Sequence, residues 1–272
     1  FRSIVESTLR AQGIDVIDLD LSTTPTVEMA VVNEKAHGGI ILTASHNPSG
    51  WNALKLLNEK GEFISADDGK KVLEWAESAD LEFVDPKKFG SYEANDTYID
   101  WHIDQILALD LVNVEAIKAA GFKVAVDAVN STGGIAVPKL LKKLNVEVTE
   151  LYCEPNGVFP HNPEPLPENI THICSEIAGG NYDVGFVVDP DVDRLVMVCE
   201  DGVSFGEEYT LVAVADYVLK KKPGNTVSNL SSTGALRDVT EKHGGSYTAS
   251  AVGEVNVVTE MKAKQAVIGG EG

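Results

Sequence analysis

Cysteine is scarce: the chain has three, Cys153, Cys174 and Cys199, at wide and irregular spacing. An odd number so dispersed excludes a disulfide framework and a zinc-ligand pattern, and it favours a reducing compartment, the cytoplasm. Positive charge is also short. Lys and Arg number 22 against 42 Asp and Glu, a formal net charge of −20. That balance speaks against an electrostatic footprint for nucleic acid and against anionic membrane surfaces, leaving room only for a local basic pocket that takes something as small as a phosphate. No apolar run approaches the roughly 18 residues of a membrane span. The start, FRSIVESTLR, has neither an initiator methionine nor the apolar core of a signal peptide. The end, AVIGGEG, stops directly after a strand-like run. The chain is therefore expected to be a fragment of something longer.

What is present is an ordinary globular composition, 43% hydrophobic and 24% charged over 272 residues, enough for two or three domains. Strand and helix alternate without low-complexity tracts. A helix over 3–12 leads to a strand over 15–19. Thr24 has the position of an N-cap, with Pro25 first in a helix to Glu34. GGIIL is a short strand that delivers the chain to the loop LTASHNPSGW, and ALKLLNEKGEFIS is a hairpin turning at Asn58–Gly61. Ser65 and Asp68 open a helix to Ala79. DPKKFGSYEAND has the composition of a linker. Helices are expected at 97–109 and 114–119, then a strand at 123–127, a Gly133-Gly134 turn, a helix at 135–144 and a strand at 147–151. A long proline-rich loop, EPNGVFPHNPEPLPEN, precedes a helix to Ala178 and a strand at 184–188. The alternation restarts after CEDGVSFGEE. Repeated βα units with short apolar strands predict an α/β fold of tandem three-layer α/β/α domains, with mixed, mostly parallel sheets and sites where strands end.

The stretch VGFVVDPDVDRLVMV sets Asp189, Asp191 and Asp193 between two apolar strands. In an extended loop, alternate residues project to one side, so three carboxylates converge. Like charges that close need a cation, and an all-oxygen set suits Mg²⁺ first, then Ca²⁺ or Mn²⁺. Arg194 adds a forked cation suited to a phosphate oxygen. A plain acidic surface turn is the bland reading, and the apolar flanks weigh against it. An EF-hand loop fails because Arg194 stands where that loop needs glycine and the flanks are strand-like. A haloacid-dehalogenase-type phosphotransferase also places D-x-D after a buried strand, with Asp189 as the phosphoryl carrier; that motif usually has Thr or Val where this chain has Asp193.

Beside such a cage, the loop TASHNP acquires a use. Adjacent Ser45 and His46 on a strand-like loop point apart, and no G-x-S-x-G elbow is present, so a Ser-His-Asp hydrolase is disfavoured. A serine oxygen near a metal cage can instead hold a phosphoryl group for donation to a sugar hydroxyl. Alone, the loop reads as an ordinary turn.

TASHNPSGWNALK together with DPDVDRL resembles the α-D-phosphohexomutase family, which includes phosphoglucomutases, phosphomannomutases and phosphoglucosamine mutases. The resemblance runs along essentially the whole chain. It implies that Ser45 is a phosphoserine carrier whose phosphate joins Asp189, Asp191 and Asp193 on Mg²⁺. It further implies that Arg194 contacts the phosphoserine, that Lys55 assists proton transfer, and that His46 orders the loop. GGEG, with Gly270, Glu271 and Gly272, matches the family's sugar-reading loop and its archaeal-type branches, and Glu271 would accept hydrogen bonds from vicinal hydroxyls. AVGEVN, with Gly253 and Glu254, matches another loop near the sugar; an acidic residue at a helix N-terminus is an equal reading of it. The chain departs from the family in having Ala53 where a glycine is usual, in lacking an arginine-bearing loop at the start of domain I, and in lacking domain IV.

The expectation is a fragment of a four-domain phosphohexomutase: domain I over 1–94 with the serine loop, domain II over 95–200 with the metal loop, and domain III over 201–272. The reaction expected is interconversion of hexose 1- and 6-phosphates through hexose 1,6-bisphosphate, which also serves as activator, with a small sugar phosphate as the partner. The alternatives are the Asp189-based phosphatase and a non-catalytic sugar-phosphate-binding protein.

Overall fold

Short apolar strands alternate with helices in the computed structural model, which describes residues 1–47, 50–78 and 81–272. Pro48 of the serine loop and Ala79, the expected helix end, lie outside the described residues. The first region has helix α1 (Arg2–Ala11), strand β1 (Val16–Asp18), helix α2 (Thr24–Asn33), strands β2 (Gly39–Leu42) and β3 (Leu54–Leu57) and helix α3 (Ala66–Ser78). Strand β4 (Tyr92–Ala94) then pairs parallel with β1, while β2 and β3 form a separate antiparallel pair. The expected linker thus contributes a strand. All three residues of β4 are exposed, so it lacks the apolar alternation by which a strand is read.

The central region supplies the largest sheet. Helices α4 (Tyr98–Leu107) and α5 (Val114–Ala120) lead into β5 (Lys123–Asp127), α6 (Gly133–Lys143), β6 (Glu147–Leu151), α7 (Thr171–Gly179), β7 (Val184–Val188) and β8 (Leu195–Cys199). The strand order is β6-β5-β7-β8, with β8 antiparallel to β7 and the others parallel. Alternation along β5 explains the layers: Val124 and Val126 pack with Leu141 and Leu144 of the α6 side, and Ala125 packs with Ile173 and Ile177 of α7. The Gly133-Gly134 pair is the first turn of α6 rather than a turn before it. A Cβ at Gly133 would lie 2.5 Å from Val188 Cγ2, so only glycine lets this helix start so close to the end of β7.

In the last region, α8 (Glu207–Lys221), β9 (Asn225–Asn229), α9 (Ala235–Lys242), β10 (Tyr247–Ser250), α10 (Glu254–Lys264) and β11 (Ala266–Gly270) form a parallel sheet of order β10-β9-β11. No helix among the described residues is long and apolar enough to cross a membrane.

Candidate functional site

The β7–β8 connection, Asp189 to Arg194, is a tight turn rather than an extended loop. Val192 N–H donates to Asp189 O at 3.2 Å, and Val192 has φ +65°, an unfavourable value for a β-branched residue. The three carboxylates converge because the turn folds back on itself, so alternation along an extended chain is not the cause. Asp189, Asp191 and Asp193 each offer an oxygen, and these lie within 4.8 Å of one another. Surrounding groups hold the turn in this shape. Ser131 and Thr132 hydroxyls donate to Pro190 O at 2.7 and 2.8 Å, and the backbone N–H groups of Asp193 and Arg194 each donate to Asp189 Oδ1 at 3.1 Å.

Ser45 comes to this turn from the loop after β2. Its hydroxyl donates to Asp189 Oδ2 at 3.1 Å, and Thr43 Oγ1 accepts from its backbone N–H at 2.9 Å. Ser45 has φ +48°, and this left-handed turn brings His46 Nδ1 to 3.3 Å from Ser45 Oγ. The expectation that neighbouring side chains point apart assumed extended backbone, and the turn removes that premise. Lys55 reaches in from β3, its ammonium 2.6 Å from Asp191 Oδ2 and 2.6 Å from Asp193 Oδ2.

Burial dominates the electrostatics. Desolvation, then the charges of Asp193 and Asp191, push the Asp189 carboxyl up to about 8. Desolvation also acts on Asp191, but the Lys55 and Thr24 hydrogen bonds outweigh it and hold that carboxyl below its ordinary value. Burial opposes the charge on Lys55, and its two carboxylate partners override that and keep the ammonium above its usual range. Lys55 is thus held as a cation and donor. Three close carboxylates with one ammonium leave net negative charge, which a divalent cation would offset. The fit to such an ion rests on one atom in particular: Asp191 Oδ1 is buried without a hydrogen-bond partner, an arrangement that costs about 1–3 kcal/mol unless something ligates it. The donors are all oxygen, as Mg²⁺ requires.

The other expected residues divide. Arg194 extends its guanidinium to Glu164 of the proline-rich loop, Nη1 to Oε1 at 3.3 Å. Glu271 Oε1 accepts from Asn229 Nδ2 at 2.6 Å and from Gly253 N–H at 2.8 Å, so the two sugar-loop candidates meet each other. Gly253 has φ +110° and is the N-cap of α10, which makes Glu254 the first residue of a helix. The helix N-terminus reading of AVGEVN thus matches the structure, and burial and then the Asp193 charge raise the Glu254 carboxyl.

Several participants carry no sequence signature. Glu28 on α2 has its carboxyl pushed up to about 8, by burial first and then by Glu254 and Asp193. Thr24 donates its hydroxyl to Asp191 Oδ2 at 2.5 Å. The expected N-cap shifts by one residue: Thr23 caps α2, accepting from Thr26 N–H at 3.2 Å, and Thr24 faces the metal turn instead. Asp127, fully buried at the end of β5, accepts from His161 Nε2 at 3.0 Å and ties the proline-rich loop to the sheet. The Thr24–Asp191 and Asp127–His161 hydrogen bonds join residues 167 and 34 positions apart, separations that no local motif encodes.

Models of the phosphoglucomutase/phosphomannomutase family match residues 1–82 (alpha/beta/alpha domain I), 100–202 (domain II) and 206–272 (domain III). The chain is 32% identical over 272 residues to a Methanopyrus kandleri protein named "Probable phosphoglucosamine mutase", covering 99% of this chain and 59% of that one. It is also 32% identical over 267 residues to a phosphoglucomutase/phosphomannomutase of Thermococcus kodakarensis, covering 97% and 58%. A crystal structure of a phosphoglucomutase/phosphomannomutase family protein from Burkholderia thailandensis superposes with TM-score 0.80 at 28% identity, over 97% of this chain and 57% of that one. The chain thus spans somewhat under two thirds of the length of these relatives.

Proposed function

Because the chain belongs to the phosphoglucomutase/phosphomannomutase family, we propose that it forms the reacting centre of a phosphohexomutase, an isomerase that interconverts hexose 1-phosphates and hexose 6-phosphates. Its modules are taken as 1–94, 95–200 and 201–272; the named strands pair within these spans, and the bridge Val198 to Ser204 crosses the second boundary. Ser45 is the phosphoryl carrier. It gives its phosphoryl group to a free hydroxyl of a hexose monophosphate, and after the resulting hexose 1,6-bisphosphate turns over, takes back the group from the other position. Hexose 1,6-bisphosphate is accordingly the activator as well as the intermediate.

The observation that carries this reading is the placement of Ser45 Oγ 3.1 Å from Asp189 in a cluster whose Asp191 Oδ1 is buried and unpaired. Asp189, Asp191 and Asp193, with an oxygen from Ser45 or its phosphate, would hold Mg²⁺. Bound there, Mg²⁺ would supply charge neutralisation at the transferring phosphoryl group. The chain's own groups do the rest. Lys55 donates protons toward the reacting oxygens, His46 orients the serine hydroxyl, and Arg194 is close enough in sequence to the cage to swing from Glu164 onto the phosphoserine. Glu271, anchored through one oxygen, keeps the other for sugar hydroxyls, with Gly253 and Glu254 framing the same side.

The Asp189-based phosphatase reading is not favoured. Asp189 Oδ1 accepts two backbone N–H groups and Oδ2 accepts from the Ser45 hydroxyl, so the group set against the carboxylate cluster is the serine oxygen, and Asp193 stands where that motif usually has Thr or Val. Intact-mass analysis of the active full-length protein tests the choice. Phosphate on Ser45 that survives acid and leaves in alkali is expected, whereas a hydroxylamine-sensitive phosphate on Asp189 would sink the mutase reading. Coupled assays with glucose, mannose and glucosamine phosphates then read the preferred sugar, and no turnover of any of them would leave a sugar-phosphate-binding protein.

A further inference from the structure

The metal turn belongs to the central sheet, yet one of its carboxylates is gripped from the first region. At the N-terminus of α2, Thr24 makes two hydrogen bonds to the same residue. Its backbone N–H donates to Asp191 O at 2.8 Å, and its hydroxyl donates to Asp191 Oδ2 at 2.5 Å. Both residues are almost fully buried. Lys55 Nζ also donates to Oδ2, at 2.6 Å. Two donors therefore converge on Oδ2, while Oδ1 has none. A carboxylate pinned by its backbone carbonyl and by one oxygen has little freedom left about its side-chain torsions.

We propose that Thr24 is a positioning residue for the metal site: its hydroxyl pins Asp191 Oδ2 and thereby presents Oδ1 as the ligand oxygen. The inference rests on the reading of Asp189, Asp191 and Asp193 as a Mg²⁺ site. The start of α2 is itself fixed for this task. Thr23 and Thr26 hydroxyls lie 2.7 Å apart, and Thr26 Oγ1 is 2.8 Å from His102 Nδ1 on α4. Burial lowers the His102 pKa, so the imidazole stays neutral and takes part as a hydrogen-bonding partner rather than a charge. The run Ser22–Thr23–Thr24–Pro25 thus has divided duties, Thr23 capping the helix and Thr24 reaching across to the turn. Groups that orient a metal ligand in this way typically govern metal affinity by about 10- to 100-fold. A hydroxyl donor also leaves the ligand's charge intact, which a second lysine would partly cancel.

The test is Mg²⁺ titration by calorimetry, repeated with Mn²⁺ by electron paramagnetic resonance, on the full-length protein and its variants. Thr24→Val keeps the shape and removes the donor, so affinity should fall about tenfold or more, while Thr24→Ser should keep most of it. Thr24→Ala, which adds no bulk, carries the comparison if the valine variant does not fold. Unchanged affinity in both donor-less variants would overturn the proposal, and so would a serine variant as weak as the valine one, since packing of the methyl would then be the cause. A lowered melting temperature with normal affinity would equally overturn it, assigning Thr24 a structural role alone. Wild-type protein that binds neither ion would remove the metal reading together with this one. If binding behaves as described but no hexose phosphate is turned over, the mutase reading falls and the role of Thr24 stands.

Discussion

The serine and the carboxylates that face each other come from regions built very differently. The central sheet has packed layers on both faces: Ala125, Val126, Ile173, Ile177 and Val198 are wholly buried. The first region has a small cluster around Val31, Ile41 and Leu57, and neither α1 nor α3 contains a fully buried residue. Cooperative stability follows buried apolar contact, so the two regions should open at different free energies. A dense sheet is suited to keeping three repelling carboxylates in place, and the sparser region brings Ser45 to them from outside that sheet.

The strongest way to break that division is at the serine. Ser45→Ala should lower turnover by at least about 10⁴-fold, the scale of losing a nucleophile, while the melting temperature stays near wild type. A variant retaining wild-type turnover would show that the carrier lies elsewhere. Next, Ile173→Ala in the α7 layer should destabilise the central region by about 2–5 kcal/mol, whereas Leu73→Ala, at a residue 66% exposed on α3, should stay within about 0.5 kcal/mol. Denaturant-dependent hydrogen exchange, followed at β5 and β7 for the first variant and at the α3 amides for the second, reads the two side by side, and equal losses would erase the contrast between the regions.

A smaller effect is expected at the seam. Thr23→Ala removes the cap of α2 and should cost about 1 kcal/mol, with Ser restoring most of it, as followed by exchange of the α2 amides. The smallest effect depends on pH. The hydrogen bond to Asp127 raises the His161 pKa above its ordinary value despite burial. A group raised on folding adds stability that is fully present below its unfolded pKa, about 6.5, and is lost as pH rises through the folded one. Protection of the proline-rich loop should therefore decline on going from mildly acidic to mildly alkaline solution. His161→Gln should flatten that dependence, and an unaltered profile in that variant would detach the loop's stability from this pair.

The central region was the more legible in sequence for the same reason that it is the denser. Strands β5 and β7 carry the apolar runs VAV and VGFVV, the signature of a strand covered on both faces, whereas β6, EVTEL, lies at the sheet edge and is only partly buried. Tyr92–Ala94 has no such signature and lies in a stretch of linker composition, although it completes a sheet with β1. At the site, Ser45 and the three aspartates stood out through their motifs, and the structure brings Ser45 to Asp189. Their convergence follows from backbone that no hydrophobic pattern reports: left-handed conformations at Ser45 and Val192. Thr24, Glu28, Glu164 and Asn229 were silent because each matters only for what the fold sets against it. Arg194, expected on the phosphoserine, extends to Glu164, a partner 30 residues away that its own motif does not contain.

The left-handed backbone at Ser45 also narrows which amino acids could do the work proposed for it. Threonine carries the same hydroxyl, but its branched Cβ is crowded at φ +48°, so a threonine there would add to the site a strain like the one Val192 already bears. Glycine and asparagine accept that backbone readily and bring no hydroxyl to phosphorylate. Among the hydroxyl side chains, tyrosine would overshoot the cage by the length of its ring. The turn therefore acts as a filter on replacement, and serine meets its steric and its chemical condition with the least strain.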